Sequence, residues 1–155
     1  MASETTTAIE RPTENVAWKG GALAGLAGGV VMGAMLTVQM TPVIEVAIPS
    51  MYGLSGMAAG WVAHLFHSIV LGVVFAGIAG AAPQYATSTG RSTALGIAYG
   101  VALWIVLAAI VMPIWLSAVG SPASPRLPNF NPMSLVGHAV YGAVLGAAFP
   151  SLRDL

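Results

Sequence analysis

Apolar residues fill four long stretches of the chain, and polar residues gather between them. The stretches are Gly20–Thr41, Met57–Ala81, Thr93–Ala118 and Met133–Phe149. A helix of about 20 apolar residues spans the ~30 Å hydrocarbon core of a bilayer, and the last stretch, at about 17, is at the short end of that range. The intervening segments PVIEVAIPSMYGLSG, PQYATSTGRS and SPASPRLPNFNP are rich in the Pro, Gly, Ser and Asn that end helices, so they read as loops. Pro42 is expected to end the first span, and Pro113 to kink or end the third.

Within the spans a finer pattern recurs every fourth residue. The first carries Gly21, Gly25, Gly29 and Gly33; the second carries Gly60, His64, Ser68, Gly72, Ala76 and Gly80; the third carries Gly96 and Gly100; the fourth carries Ser134, His138, Gly142 and Gly146. Small residues at this spacing let helix backbones approach closely, which drives association where lipid supplies no hydrophobic force. An i, i+4 row drifts around the helix, so its successive parts face different neighbours and a compact bundle follows.

Composition agrees with the pattern. Hydrophobic residues make up 57% of the chain and charged ones 6%, against roughly 25% charged in an ordinary soluble domain. Backbone polar groups in hydrocarbon must be satisfied within the segment, and regular strand alternation is missing, so helices are expected rather than a barrel. The five basic residues are scattered and the formal net charge is zero, which leaves no electrostatic footprint for nucleic acid. Without cysteine there is no disulfide, CxxC or thiolate metal chemistry. Residues 1–19 read as a retained polar tail and 20–155 as one transmembrane domain. A cytoplasmic N-terminus puts Arg11, Lys19, Arg91 and Arg153 inside and Arg126 outside, the asymmetry of the positive-inside rule, with both termini cytoplasmic in a cell membrane.

The chain also resembles itself. A shift of 74 lays WVAHLFHSIVLGVVF on LVGHAVYGAVLGAAF, matching His64 with His138 and Phe75 with Phe149. A shift of 71 lays the first span on the third, matching Gly25 with Gly96, Gly29 with Gly100 and Pro42 with Pro113. Two tandem helical hairpins related by a pseudo-twofold along the membrane normal are expected.

The candidate chemistry lies in one leaflet. His64, His67, His138 and Tyr141 fall within about three turns of the same ends of their spans, near Thr37, Gln39, Thr41 and Glu45. An ionisable side chain at membrane depth costs at least about 2.5–3.5 kcal/mol on insertion scales, so it is either partnered or functional. One reading makes the histidines interhelical hydrogen-bond clips in a structural or accessory subunit. A second makes His64, His67, His138 and Glu45 a protonatable cluster for small-solute or ion passage, or pH sensing. A third binds Zn²⁺ or Cu²⁺ through the three histidines and Glu45, and a fourth uses His64 and His138 as axial haem ligands. Glycine-lined faces pull helices together, whereas a macrocycle holds them apart, so haem is disfavoured, although glycine can also clear space for a porphyrin edge; no cofactor is predicted, with haem and Zn²⁺ or Cu²⁺ left open. The scattered methionines, Met32 to Met133, read as plastic packing rather than a copper path. No nucleotide loop, GxSxG elbow, HExxH motif or paired intramembrane aspartates are present, so a non-enzymatic protein is expected. Its partners are the bilayer and either further copies of itself or a membrane complex.

The elements AHLFHSIVLGVVFAG, IVMPIWLSAVGSP and SLVGHAVYGAVLG resemble the small inner-membrane proteins typified by YagU, and short multi-span proteins of halophilic archaea. Those proteins place a histidine before small residues, then a Pro-containing helix, a Pro-rich loop and a final GH span. His64, Pro113, Gly137 and His138 are the positions that match. The resemblance implies the fold and carries no reaction or ligand.

Overall fold

The computed structural model describes residues 17–155. The expected tail, including Arg11, lies outside the described residues except for its last three positions. Among the described residues every regular element is helical. α1 (Trp18–Gln39) is followed by a π-helical turn (Val43–Ala47) that runs into α2 (Ile48–Ser50), and α3 (Met57–Ala81) by a single turn, α4 (Pro83–Ala86). The third span is one continuous helix, Thr89–Ala118. It consists of α5 (Thr89–Leu103), a π-helical segment (Trp104–Val111) and α6 (Met112–Ala118), and α7 (Pro132–Leu152) completes the fold. Four helices are therefore long and apolar enough to cross a membrane.

Capping explains where the longer spans begin. Ser88 accepts from the Arg91 N–H and starts the third span four residues before the expected Thr93. Asn131 accepts from the N–H groups of Met133 and Ser134, and Pro132 occupies the first turn, where its missing N–H costs nothing. The fourth span also runs past Pro150 to Leu152, reaching 21 residues rather than about 17.

Two expectations need correction. PVIEVAIPSMYGLSG is not a plain loop: its apolar positions Ile44, Ala47 and Ile48 recur at helical spacing and are buried against the bundle, so the chain folds back as a short helical flap. Gly53 and Gly56, both at positive φ, then turn it into α3. Pro113 does not end the third span either. Its ring cannot serve the carbonyl four residues back, that of Ala109, and the Asn129 N–H donates to that oxygen at 2.9 Å. The long loop after α6 thus supplies the bond the proline removes, and the helix continues.

α1 packs along α3, α5 packs along α7, and α1 also lies against α7. The glycines set these separations. A Cβ on Gly25 would run into Ser68 O and Gly72 Cα, and one on Gly96 into Gly142 O and Gly146 Cα. Only glycine fits where backbone meets backbone in this way. Gly77 and Gly80 have open space beside them, so the stripe on α3 stops packing before its end. α3 and α5 touch at Phe75 and Tyr99, ring centroids 5.5 Å apart. Phe75 also meets Phe149 of α7, which forms an aromatic layer across the bundle. Beyond that layer, toward the flap, α3 and the third span stand apart.

Candidate functional site

The gap is a cavity of about 520 Å³. α1 and α7 form its back, α3 and the π-helical segment its two sides, and the flap and the loop after α6 its roof. Leu71, Leu103 and Tyr141 lie at its floor, against the aromatic layer. Most of the wall is apolar, from Met32, Leu36, Ile48, Leu107 and Met112 among others. The polar groups are few: His64, His67, Ser68, Asn129, Asn131, Ser134, His138 and Tyr141.

Each histidine is held differently. His64, 6% exposed, donates from Nε2 to the Gly29 carbonyl of α1 at 2.9 Å, which ties α3 to α1. Its ring stands edge-on to Trp61, whose own ring covers Gly33. His138 donates from Nδ1 to the Ser134 carbonyl of its own helix at 2.7 Å, so it fixes its ring without bridging helices. A carbonyl oxygen accepts and never donates, so these bonds set the tautomers. In the neutral rings the lone pair sits on Nδ1 of His64 and on Nε2 of His138. His67 pairs through Nε2 with the Tyr52 hydroxyl on the turn between α2 and α3.

Tyr141 donates to the Ser68 carbonyl at 2.8 Å. Tyr99 likewise donates to the Leu71 carbonyl at 2.8 Å. Ser68 Oγ is turned back onto the His64 carbonyl. Thr37 and Thr41 hydrogen-bond carbonyls of their own segment, so their hydroxyls are already used. Overhead, Ser50 and Ser121 hydroxyls lie 2.7 Å apart, and the Trp115 indole donates to the Met51 carbonyl at 3.0 Å. These two bonds fasten the flap to the end of the third span.

The structure gathers His64, His67, His138 and Tyr141 around one cavity, and Glu45 is not among them. The turn that buries Ile44 and Ala47 leaves Glu45 exposed and away from the lining. Among the described residues no three His, Asp or Glu side chains come together as metal ligands, so the Zn²⁺ or Cu²⁺ set of three histidines and Glu45 lacks its geometry. The haem reading fares no better, because His64 Nε2 is committed to Gly29 O. Sequence reasoning overlooked the roof residues Ser50, Tyr52, Ser121 and Asn129. No local pattern marks them, since each acts on a partner far along the chain. Asn131 was overlooked as well, although an Asn-Pro pair at a helix start is a local signal that could have marked it.

Part of the cavity lining reaches the outer surface of the bundle. Phe66 and Val70 of α3 and Val111 of the π-helical segment line the cavity and are also exposed on the outer surface of the bundle, at 61%, 44% and 39%. Phe66 and Val70 are 9 and 13 residues from the start of α3, or about 14–20 Å along its axis at 1.5 Å per residue. Trp115 of α6 also lines the cavity and is exposed, at 41%.

Residues 16–154 match DUF6789, a family of unknown function. The chain belongs to that family. No curated protein and no solved structure matches it. The likeness to YagU-type proteins thus remains a likeness of motif, while membership of DUF6789 covers the whole transmembrane region.

Proposed function

We propose that this DUF6789 protein is a non-enzymatic membrane protein that takes a small apolar molecule from the bilayer into its histidine-lined cavity, to carry or sense it. The observation that carries the reading is the cavity of about 520 Å³, closed below by the aromatic layer and open sideways at Phe66, Val70 and Val111. Ligand pockets of this size, mostly apolar with a few polar groups, bind small molecules. An ion would need a hydrated or polar path, and Leu71, Leu103 and the Phe75–Phe149 contact offer none. A solute therefore fits better than an ion, and passage would require the floor to part.

The same reading includes two hairpins related by a pseudo-twofold. Its support is that contacts repeat at the offsets found in the sequence. Gly25 abuts Ser68 and Gly72, while Gly96 abuts Gly142 and Gly146; Gly72 abuts Gly21, while Gly146 abuts Ser92. The relation is broken where α1 meets α7 but the equivalent helices α3 and α5 diverge, and the cavity occupies that divergence. For orientation we take both termini as cytoplasmic: Lys19, Arg91 and Arg153 lie at one end of the bundle and Arg126 in the loop at the other. The cavity then belongs to the outer leaflet.

The test is binding of a hydrophobic probe, 4-octylanisole, to the purified protein in nanodiscs, read by Trp115 and Trp61 fluorescence. Saturable binding that is lost in Ala108→Trp, which fills the cavity from the π-helical segment, supports the reading. Binding of neither 4-octylanisole nor its phenol, 4-octylphenol, above that of empty nanodiscs overturns it. It would leave the rival, a structural subunit whose His64 is a clip between α3 and α1.

A further inference from the structure

We propose that the cavity recognises an apolar molecule bearing a hydroxyl group, and that the hydroxyl donates its hydrogen to a free histidine ring nitrogen, that of His138 or of His64. The inference rests on the cavity being a ligand site and names the chemistry of the ligand.

It follows from how each nitrogen is used. His64 Nε2 and His138 Nδ1 are occupied as donors to backbone carbonyls. Among the described residues neither His64 Nδ1 nor His138 Nε2 has a protein partner, yet neither is a buried orphan; Ser92 Oγ alone has that status. Both nitrogens therefore keep accessible surface, and the surface their residues share is the cavity wall. In the neutral rings both are acceptors. Two neighbouring hydroxyls are spent, Ser68 Oγ on the His64 carbonyl and Tyr141 on the Ser68 carbonyl, while the hydroxyl-bearing Ser134 and the amide-bearing Asn129 and Asn131 also line the cavity. The histidine nitrogens thus offer lone pairs, and a group that bonds them must bring the hydrogen.

A carbonyl or ether head would face these lone pairs and leave them unpaired in an apolar site, at the cost of their desolvation. A hydroxyl head satisfies one of them. The rest of the wall, Leu36, Leu107, Val111 and Met112, takes the hydrocarbon body, and the mouth at Phe66 and Val70 admits it from lipid. A site built to bond a hydroxyl rejects the analogue lacking it far more strongly than an apolar pocket rejects an extra methyl group.

The experiment compares 4-octylphenol with its methyl ether, 4-octylanisole, on the wild-type protein in nanodiscs, with affinities corrected for partition into empty nanodiscs. A second readout follows the histidine ring nitrogens by ¹⁵N NMR. The expected result is tighter binding of the phenol by about tenfold, the size of a hydrogen bond of about 1.4 kcal/mol, with a shift at His138 Nε2 that the ether does not produce. In His138→Phe the two affinities should converge. Equal saturable binding of phenol and ether, with no shift at either histidine, overturns the hydroxyl inference and leaves the cavity reading standing. Saturable binding of neither probe overturns both. The wild-type comparison decides the matter even if His138→Phe fails to fold.

Discussion

Phe75 and Phe149 meet edge to face, with ring centroids 5.4 Å apart and planes at 90°. They come from α3 and α7, 74 residues apart, the offset of the proposed repeat, and they meet in the core of the bundle. Both are buried, and together with Tyr99 they separate the cavity from the other half of the membrane domain.

Truncating either ring should be costly. Phe75→Ala or Phe149→Ala is expected to destabilise the protein by about 3–5 kcal/mol. The double mutant should show a coupling of about 0.5–1.5 kcal/mol for the edge-to-face pair. Reversible unfolding in mixed micelles measures both quantities, and strict additivity would show that the rings are packed independently.

The glycine contacts separate positions that look alike in sequence. Gly96→Ala puts a methyl group against the Gly142 carbonyl and should cost about 1–3 kcal/mol through overpacking. Gly80→Ala, in the same kind of row but with open space beside it, should be neutral or stabilising because alanine favours the helix. Thermal unfolding of the two variants side by side is the check, and equal losses would contradict the contact map.

His64 and His138 should differ when removed. His64→Ala breaks a bond between α3 and α1, and interhelical hydrogen bonds in membranes contribute about 0.6 kcal/mol on average, up to about 1.7. His138→Ala frees a carbonyl within its own helix and should cost less. Unfolding free energies of the two single mutants give the comparison; a larger loss for His138→Ala would run against the assigned bonds.

Because the chain has no cysteine, orientation can be read cleanly. Single cysteines at Ser124, beside Arg126, and at Gln84, beside α5, are both exposed. With intact cells and a membrane-impermeant maleimide, Ser124→Cys should label and Gln84→Cys should label only after lysis. The reverse pattern would invert the proposed topology and move the cavity to the inner leaflet.

The helical membrane class was legible because it depends on short-range properties. Runs of apolar residues force satisfied backbone bonds into helices wherever they lie in lipid, and four such runs give four spans. The hairpin partners were legible too, since consecutive spans joined by short segments pack side by side. Span ends were less so. Pro113 looked like a break until Asn129 supplied a donor to the carbonyl it left open, and that donor comes from sixteen residues further along. Glu45 looked like a partner for the histidines because it is close in sequence, but the winding of one π-helical turn points it away.

What the sequence determined by itself is therefore the membrane domain, its four helices and the small-residue faces on which they pair. Periodicity and composition carry that information locally, and no long-range contact is needed to express it. Tertiary structure alone decided that α3 and the third span diverge above Phe75 and Tyr99. It also decided that the flap folds back over the gap, and that His64 and His138 line one cavity while each bonds a backbone carbonyl instead of the other. Those outcomes depend on where separately encoded helices stop touching, which is settled by the packing of all four at once.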